Sequence, residues 1–172
     1  MQDLVVSAIG PDHPGLVDRL TEAIGRYNCN IADSRMVNLH GQFAIIMRLQ
    51  VPDANASDLR EQLPGLIEGI GLRAVTAPVE GRGSPPGVPY RIRTYAMDQA
   101  GIVHRIAHAL GERRVNIEDM TSRLEHGPHT GTPLFSMDMV VTIPPEVRLQ
   151  DVRTALEALC AELNCDLDID RA

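Results

Sequence analysis

Two strand-to-helix loops hold the residues best suited to chemistry in this chain: Asp12-His13-Pro14-Gly15 and Asp98-Gln99-Ala100-Gly101. Each loop is followed further along by an asparagine and an isoleucine, Asn30-Ile31 and Asn116-Ile117. The chemistry these residues support is recognition rather than bond breaking. A helix start presents unpaired backbone N–H groups and the positive end of its dipole. Gly15 and Gly101 let the backbone approach whatever sits there, and a small carboxylate or amino-acid zwitterion suits such a place. An asparagine amide both donates and accepts, so it can pair with both charged ends of an amino acid. The helix hands over to the second strand at Asn30 and Asn116, which are expected at the same end of the sheet as the loop. The plainer alternative stays open: Asp12 and Asp98 are good N-cap residues, and Asp-x-x-Gly then only caps a helix. Asn30 and Asn116 could equally be left-handed turn residues.

Other reactive side chains give weaker patterns. His104 and His108 are four apart on a helix, a spacing that can hold a metal, but no third ligand lies nearby in sequence. A solvated helix face is the expected role, and His126 and His129 in a hairpin loop are weighed the same way. No Ser-His-Asp or Cys-His set occurs at an informative spacing, so no catalytic residue is assigned. Cys29 and Cys160 fall near apolar positions typical of inert core thiols. The three cysteines, with Cys165, fit a reducing compartment and no metal or other cofactor.

The elements that position the loops come in two copies. Residues 12–36 and 98–122 align without a gap, sharing Asp, Gly, Val, Arg, Ala, Gly, Asn, Ile and Asp, while Leu16 and Ile102, Leu20 and Ile106, and Ile24 and Leu110 exchange one apolar residue for another. A repeat this long means two copies of one domain. The run PVEGRGSPPGVP, residues 78–89, reads as a linker, leaving a first domain at 1–77 and a second at 90–172.

In the first domain a short buried strand over 4–9 precedes a helix with Leu16, Leu20, Ala23, Ile24 and Tyr27 on one face. Strands follow over 31–39 and 43–51, the latter with Phe43, Ile45, Met47, Leu49 and Val51 in one phase. A helix over 57–70 with Leu59, Leu63 and Leu66 inward must be kinked or split by Pro64, and a strand over 72–77 closes the domain. The second domain repeats the order with strands over 90–96, 117–124, 134–143 and 167–169 and helices over 101–113 and 149–163. Met137 and Met139 are expected in its core. The order βαββαβ, twice, implies an α+β protein of two ferredoxin-like sandwiches, each an antiparallel sheet with two helices on one face.

Composition removes several functions that this fold hosts elsewhere. The formal net charge is −7, from 23 acidic and 16 basic residues, which opposes nucleic-acid binding. With 2 Phe, 3 Tyr and no Trp, and with Phe43 and Phe135 in the apolar phase, the strands lack the stacking aromatics of an RNA-recognition domain. The loops GPDHPG and MDQAG contain no basic residue apart from His13, so an acylphosphatase-like phosphate cradle is missing. No stretch approaches a membrane helix, and the chain is expected to be cytoplasmic.

The pattern Asp12-His13-Pro14-Gly15-Leu16-Val17 followed by Asn30-Ile31 within βαββαβ resembles the ACT domain, a small amino-acid-sensing module. Two copies with little else, together with CNIADSRM (29–36) and LCAELN (159–164), resemble the glycine cleavage system transcriptional repressor family. The resemblance implies a non-enzymatic regulator that senses glycine or a related small amino acid such as serine. It also implies repression through a transcriptional activator protein rather than through DNA, with a homodimer compatible. Carried over by motif position, the ligand contacts are Asp12, His13, Pro14, Gly15, Leu16, Asn30 and Ile31, and in the second copy Asp98, Gln99, Ala100, Gly101, Ile102, Asn116 and Ile117. Ala100 departs from the family's proline, which leaves the second loop less pre-organised. Two alternatives remain: a general small-amino-acid-binding protein, or a regulatory module related to that of formyltetrahydrofolate deformylase. The chain ends at Ala172 just after the second repeat, so a stand-alone catalyst is not expected.

Overall fold

The computed structural model describes residues 1–79, 86–126 and 131–172. In the first unit β1 (Gln2–Pro11), α1 (Leu16–Gly25), β2 (Asn30–Leu39), β3 (Gln42–Val51), α2 (Ala56–Glu68) and β4 (Arg73–Pro78) follow in order, with a 3-10 turn at Asp53–Asn55. The second unit repeats this as β5 (Val88–Met97), α3 (Ile102–Gly111), β6 (Asn116–His126), β7 (Pro133–Ile143), α4 (Leu149–Leu163) and β8 (Cys165–Arg171). The sheets run β2-β3-β1-β4 and β6-β7-β5-β8, every neighbouring pair antiparallel. Both are the expected ferredoxin-like arrangement. The repeat extends to an irregularity: each second strand slips register at one place, between Ile31 and Asp33 and between Ile117 and Asp119.

Alternation decides which sheet face is covered. Leu4, Val6 and Ala8 of β1 and Phe43, Ile45, Met47, Leu49 and Val51 of β3 are all buried, against Leu16, Leu20, Ala23 and Ile24 of α1. In the second unit Ile92 and Ala96 with Met137, Met139, Val141 and Ile143 meet Ile102, Ile106 and Leu110 of α3 and Val152, Leu156, Cys160 and Leu163 of α4. Each unit thus closes its own hydrophobic core. In α2 the inward residues are Ala56, Leu59, Leu63 and Ile67, not Leu66. Spacing of four from Leu59 keeps one stripe against the sheet, and Leu66 falls to its margin. Pro64 lies inside α2 without splitting it. The carbonyl it leaves without an intrahelical partner belongs to Arg60, an exposed residue on the solvent side of the helix.

The expected linker is shorter at both ends than its composition implied. Pro78 pairs with Leu4 at the end of β4, and Val88 and Pro89 pair with Ile143 and Thr142 in β5. Pro78 is tolerated because β4 is an edge strand. Pro89 sits near the start of β5, where only its carbonyl is used on the β8 side, accepting from Ala172 N–H at 3.2 Å. Contacts divide the chain into two compact units, Met1–Arg82 and Gly83–Ala172. Residues 80–85 of that segment, and 127–130 of the second hairpin loop including His129, lie outside the described residues.

Candidate functional site

The two loops fold alike. Gly15 and Gly101 occupy the N-cap positions of α1 and α3, both left-handed with φ of 82° and 95°. Arg19 and Arg105 then donate back to their carbonyls at 3.1 and 2.9 Å, which starts each helix. Neither start has a side-chain cap. This corrects the N-cap role expected of Asp12 and Asp98: a left-handed cap selects glycine, and glycine has no side chain to cap with.

The aspartates instead tie each loop to the neighbouring hairpin. Asp12 N–H donates to Gly41 O at 2.9 Å, and Asp98 N–H to Pro133 O at 3.0 Å. The Asp12 carboxylate also accepts from the Asn38 amide, whose own oxygen takes Gly41 N–H at 3.3 Å. Asn38 therefore holds the first loop, a role that sequence reading missed. The only signal was its place just before the His40-Gly41 turn. Leu124 stands at the matching position of the second repeat and offers no such amide.

His13 and Pro14 are exposed, and His13 Nδ1 lies 3.2 Å from Pro14 O. Gln99, at the position of His13, donates instead to Leu163 O at the end of α4. Ala100 and Gly101 are exposed, whereas Leu16 and Ile102 are buried core residues. The first loop thus commits Asp12 to the hairpin and leaves His13 exposed, whereas the second commits Gln99, at the position of His13, to the adjacent helix.

Asn30 and Asn116 do not join the loops of their own domains. Asn30 is level with Gln50, whereas Pro11, at the loop end of β1, is level with Gln42. Those partners are separated by roughly 26 Å of strand. The expectation of a shared end fails for a simple reason: α1 leaves the top of β1 and runs back along the sheet, so the chain re-enters β2 at the bottom. Asn30 donates to Gln50 Oε1 at 3.3 Å, and Asn116 to Glu118 Oε1 at 2.8 Å. Ile31 and Ile117 pack against the cores. The left-handed residues of this turn are Asn28 and Arg114, with φ of 52° and 57°, two positions earlier than Asn30 and Asn116.

Among the described residues, the remaining reactive groups do not converge on a site. The His104 and His108 rings stack at 5.9 Å, and His108 Nε2 lies 3.5 Å from Glu112 Oε1. They line a groove of about 360 Å³ between α3 and α4, floored by Ala109, Ala155 and Ala158. Among the described residues no three of His, Cys, Asp or Glu converge as metal ligands. Burial pushes the Cys160 thiol up to about 11, with Cys165 adding to the shift, and it also raises Cys29. These thiols are protonated and inert near neutral pH. Among the described residues, no helix is long and apolar enough to cross a membrane.

Comparison with known proteins agrees with this architecture. The ACT domain family matches residues 2–76 and again residues 90–161. The glycine cleavage system transcriptional repressor of Escherichia coli is 25% identical over 168 residues, 97% of this chain and 88% of its own. A UPF0237 protein of Methanopyrus kandleri is 32% identical over 77 residues, 44% of this chain and 86% of its own. The crystal structure of an unknown protein from Galdieria sulphuraria superposes with a TM-score of 0.87 at 27% identity, covering 99% of this chain and 98% of that one. The chain belongs to the ACT domain family and carries two copies of the domain in tandem.

Proposed function

We propose that this protein is a non-catalytic regulator that senses a small amino acid, glycine or serine, and represses the glycine cleavage system through a protein partner. The observation that carries the reading is the alignment over 97% of the chain with a repressor of that system, spanning both ACT domains. The geometry supports the sensing half. In the first domain the glycine-bearing start of α1 stands open beside Asp12, His13 and Pro14, with backbone N–H groups available for a carboxylate. The second loop is the weaker site, because Gln99 is bonded to Leu163 O and Ala100 replaces proline. One ligand per chain is the expected stoichiometry.

Calorimetry with glycine and serine tests the ligand. A Cβ added at Gly15 meets nothing within 4 Å, so it projects into the open space a ligand needs while the positive φ disfavours a branched residue. Gly15→Val is expected to weaken binding at least about tenfold, a change of about 1.4 kcal/mol. Gly101→Val should leave it nearly unchanged. Failure of the unmodified protein to bind any amino acid at millimolar concentration sinks the sensing proposal.

The partner half rests on charge. A net charge of −7 opposes phosphate binding. Several arginines are also paired with carboxylates: Arg48 with Asp3, Arg91 with Asp138, Arg105 with Glu162 and Arg148 with Asp151. In a gel-shift assay on the operon promoter the protein alone is expected to give no specific shift at physiological salt. A specific shift without the activator overturns partner-mediated repression.

A further inference from the structure

The outer face of the second sheet, turned away from α3 and α4, holds an open cavity of about 340 Å³. Register builds it. Arg123 of β6, Ser136 of β7 and Tyr95 of β5 stand level in one row across three strands, and Thr121 and Asp138 stand level in the next. Adjacent strands lie about 4.8 Å apart and successive rows about 7 Å. These side chains therefore bound one small volume, with Asp119 and Arg91 at its far side.

The polar groups of the cavity fall into two sets. Its carboxylates are already engaged: Asp138 takes Arg91 Nε at 2.9 Å and Arg93 Nε at 3.6 Å, and Asp119 also has a partner. The guanidinium of Arg123, the phenol of Tyr95 and the hydroxyls of Ser136 and Thr121 make no hydrogen bond or ion pair among the described residues. Folding gives no reason for this second set. The first sheet has the same backbone plan, with Val37, Ala44 and Ile9 in the row matching Arg123, Ser136 and Tyr95. A sheet that forms around an apolar row there does not demand a polar one here.

We propose that this cavity binds a small hydroxylated carboxylate, a hydroxy acid of a few carbons, on the sheet face opposite the helices and apart from the two helix-start loops. Every unpartnered group in it can donate a hydrogen bond, and one carries a positive charge. A carboxylate satisfies Arg123 through paired N–H donors, and Tyr95 O–H stands in the same row to reach it. The Ser136 and Thr121 hydroxyls both donate and accept, so they match hydroxyl groups on the ligand. Charge selects within the possible ligands. With Asp138 and Asp119 engaged, no free carboxylate calls for the ammonium of an amino acid. Two arginines and two aspartates line the cavity, which leaves no surplus of positive charge for a phosphate dianion. Its volume lies at the small end of ligand cavities, which suits a few carbons.

Titration calorimetry of the full chain with glycerate and gluconate as probes tests this. Saturable binding of at least one is expected, and Arg123→Gln should weaken it at least about tenfold. Tyr95→Phe removes only the hydroxyl and should weaken binding by a smaller factor. The double variant Arg123→Val with Tyr95→Ile installs the residues that the first sheet already carries at the matching places. Circular dichroism should show its fold retained while probe binding is lost. Gly15→Val, and a saturating excess of glycine, should both leave probe binding unchanged, which separates this site from the α1 loop. Absence of binding by either probe up to about 10 mM, weaker than ordinary specific ligands, overturns the proposal. Undiminished binding by the folded Arg123→Gln protein, or displacement of the probe by glycine, overturns it as well.

Discussion

Phe43→Ala is expected to destabilise the first domain by about 3–5 kcal/mol, the cost of deleting a fully buried aromatic ring and leaving a cavity. Phe43 is 1% exposed and stands first among the largest fully buried side chains. It lies on β3 level with Gly10 of β1 and Asn38 of β2, so its ring fills the core below the end of the sheet that carries the Asp12 loop. A domain of roughly 80 residues has only a few kcal/mol of net stability to lose. The first domain should therefore be largely unfolded at ambient temperature. The second, whose core residues are all its own, should keep its transition. Scanning calorimetry of the full chain should show one melting transition surviving near its original temperature and the other lost or much lowered. A single transition, shifted by the equivalent of less than about 1 kcal/mol, would mean that the ring is not a keystone of a separate core.

Gly10→Ala is expected to cost about 1–3 kcal/mol, although it adds one methyl group. Gly10 continues the inward phase of Leu4, Val6 and Ala8, and it is buried. A Cβ there would lie 2.7 Å from Gly71 O and 2.8 Å from Leu72 Cδ2. Leu72 is itself 1% exposed, and the Gly71 carbonyl belongs to the turn that ends α2, so neither neighbour yields cheaply. The second domain supplies an internal control. Ala96 holds the matching position and pairs with Cys165, after a turn made by Asn164 at φ 48° rather than by Gly71 at φ 92°. That different turn gives the methyl group room. Urea melts should show Gly10→Ala clearly destabilised and Ala96→Gly changed by no more than about 1 kcal/mol. Equal, small effects at both positions would show that the close approach at Gly10 relaxes without cost.

The sequence by itself determined the repeat, the order of the elements and the phase of each one. These are local properties: alternation along β3 and a stripe along α1 follow from backbone periods of two and 3.6 residues, whatever else the chain does. Core membership of Leu20, Phe43, Met139 and Leu156 follows from phase alone. So does the presence of a glycine where each first helix starts. Element ends were less legible. Pro78 and Pro89 read as linker from composition, yet one lies on an edge strand and the other near a strand start, where a missing N–H costs nothing.

Tertiary structure alone decided which residues meet. Asn30 looked adjacent to the Asp12 loop because α1 joins them in sequence, but a helix that packs back along its sheet delivers the chain to the opposite end. Asn38, distant in sequence, reaches Asp12 because the β2–β3 hairpin returns to the loop end. Gln99 meets Leu163 across 64 positions for a similar reason. The apolar patch on the outer face of the first sheet is likewise invisible along the chain. Val37, Ala44 and Ile9 come from three strands, and only strand order and register place them side by side. Local periodicity states which way a side chain faces; the direction and neighbours of each element, set by long-range packing, state what it faces.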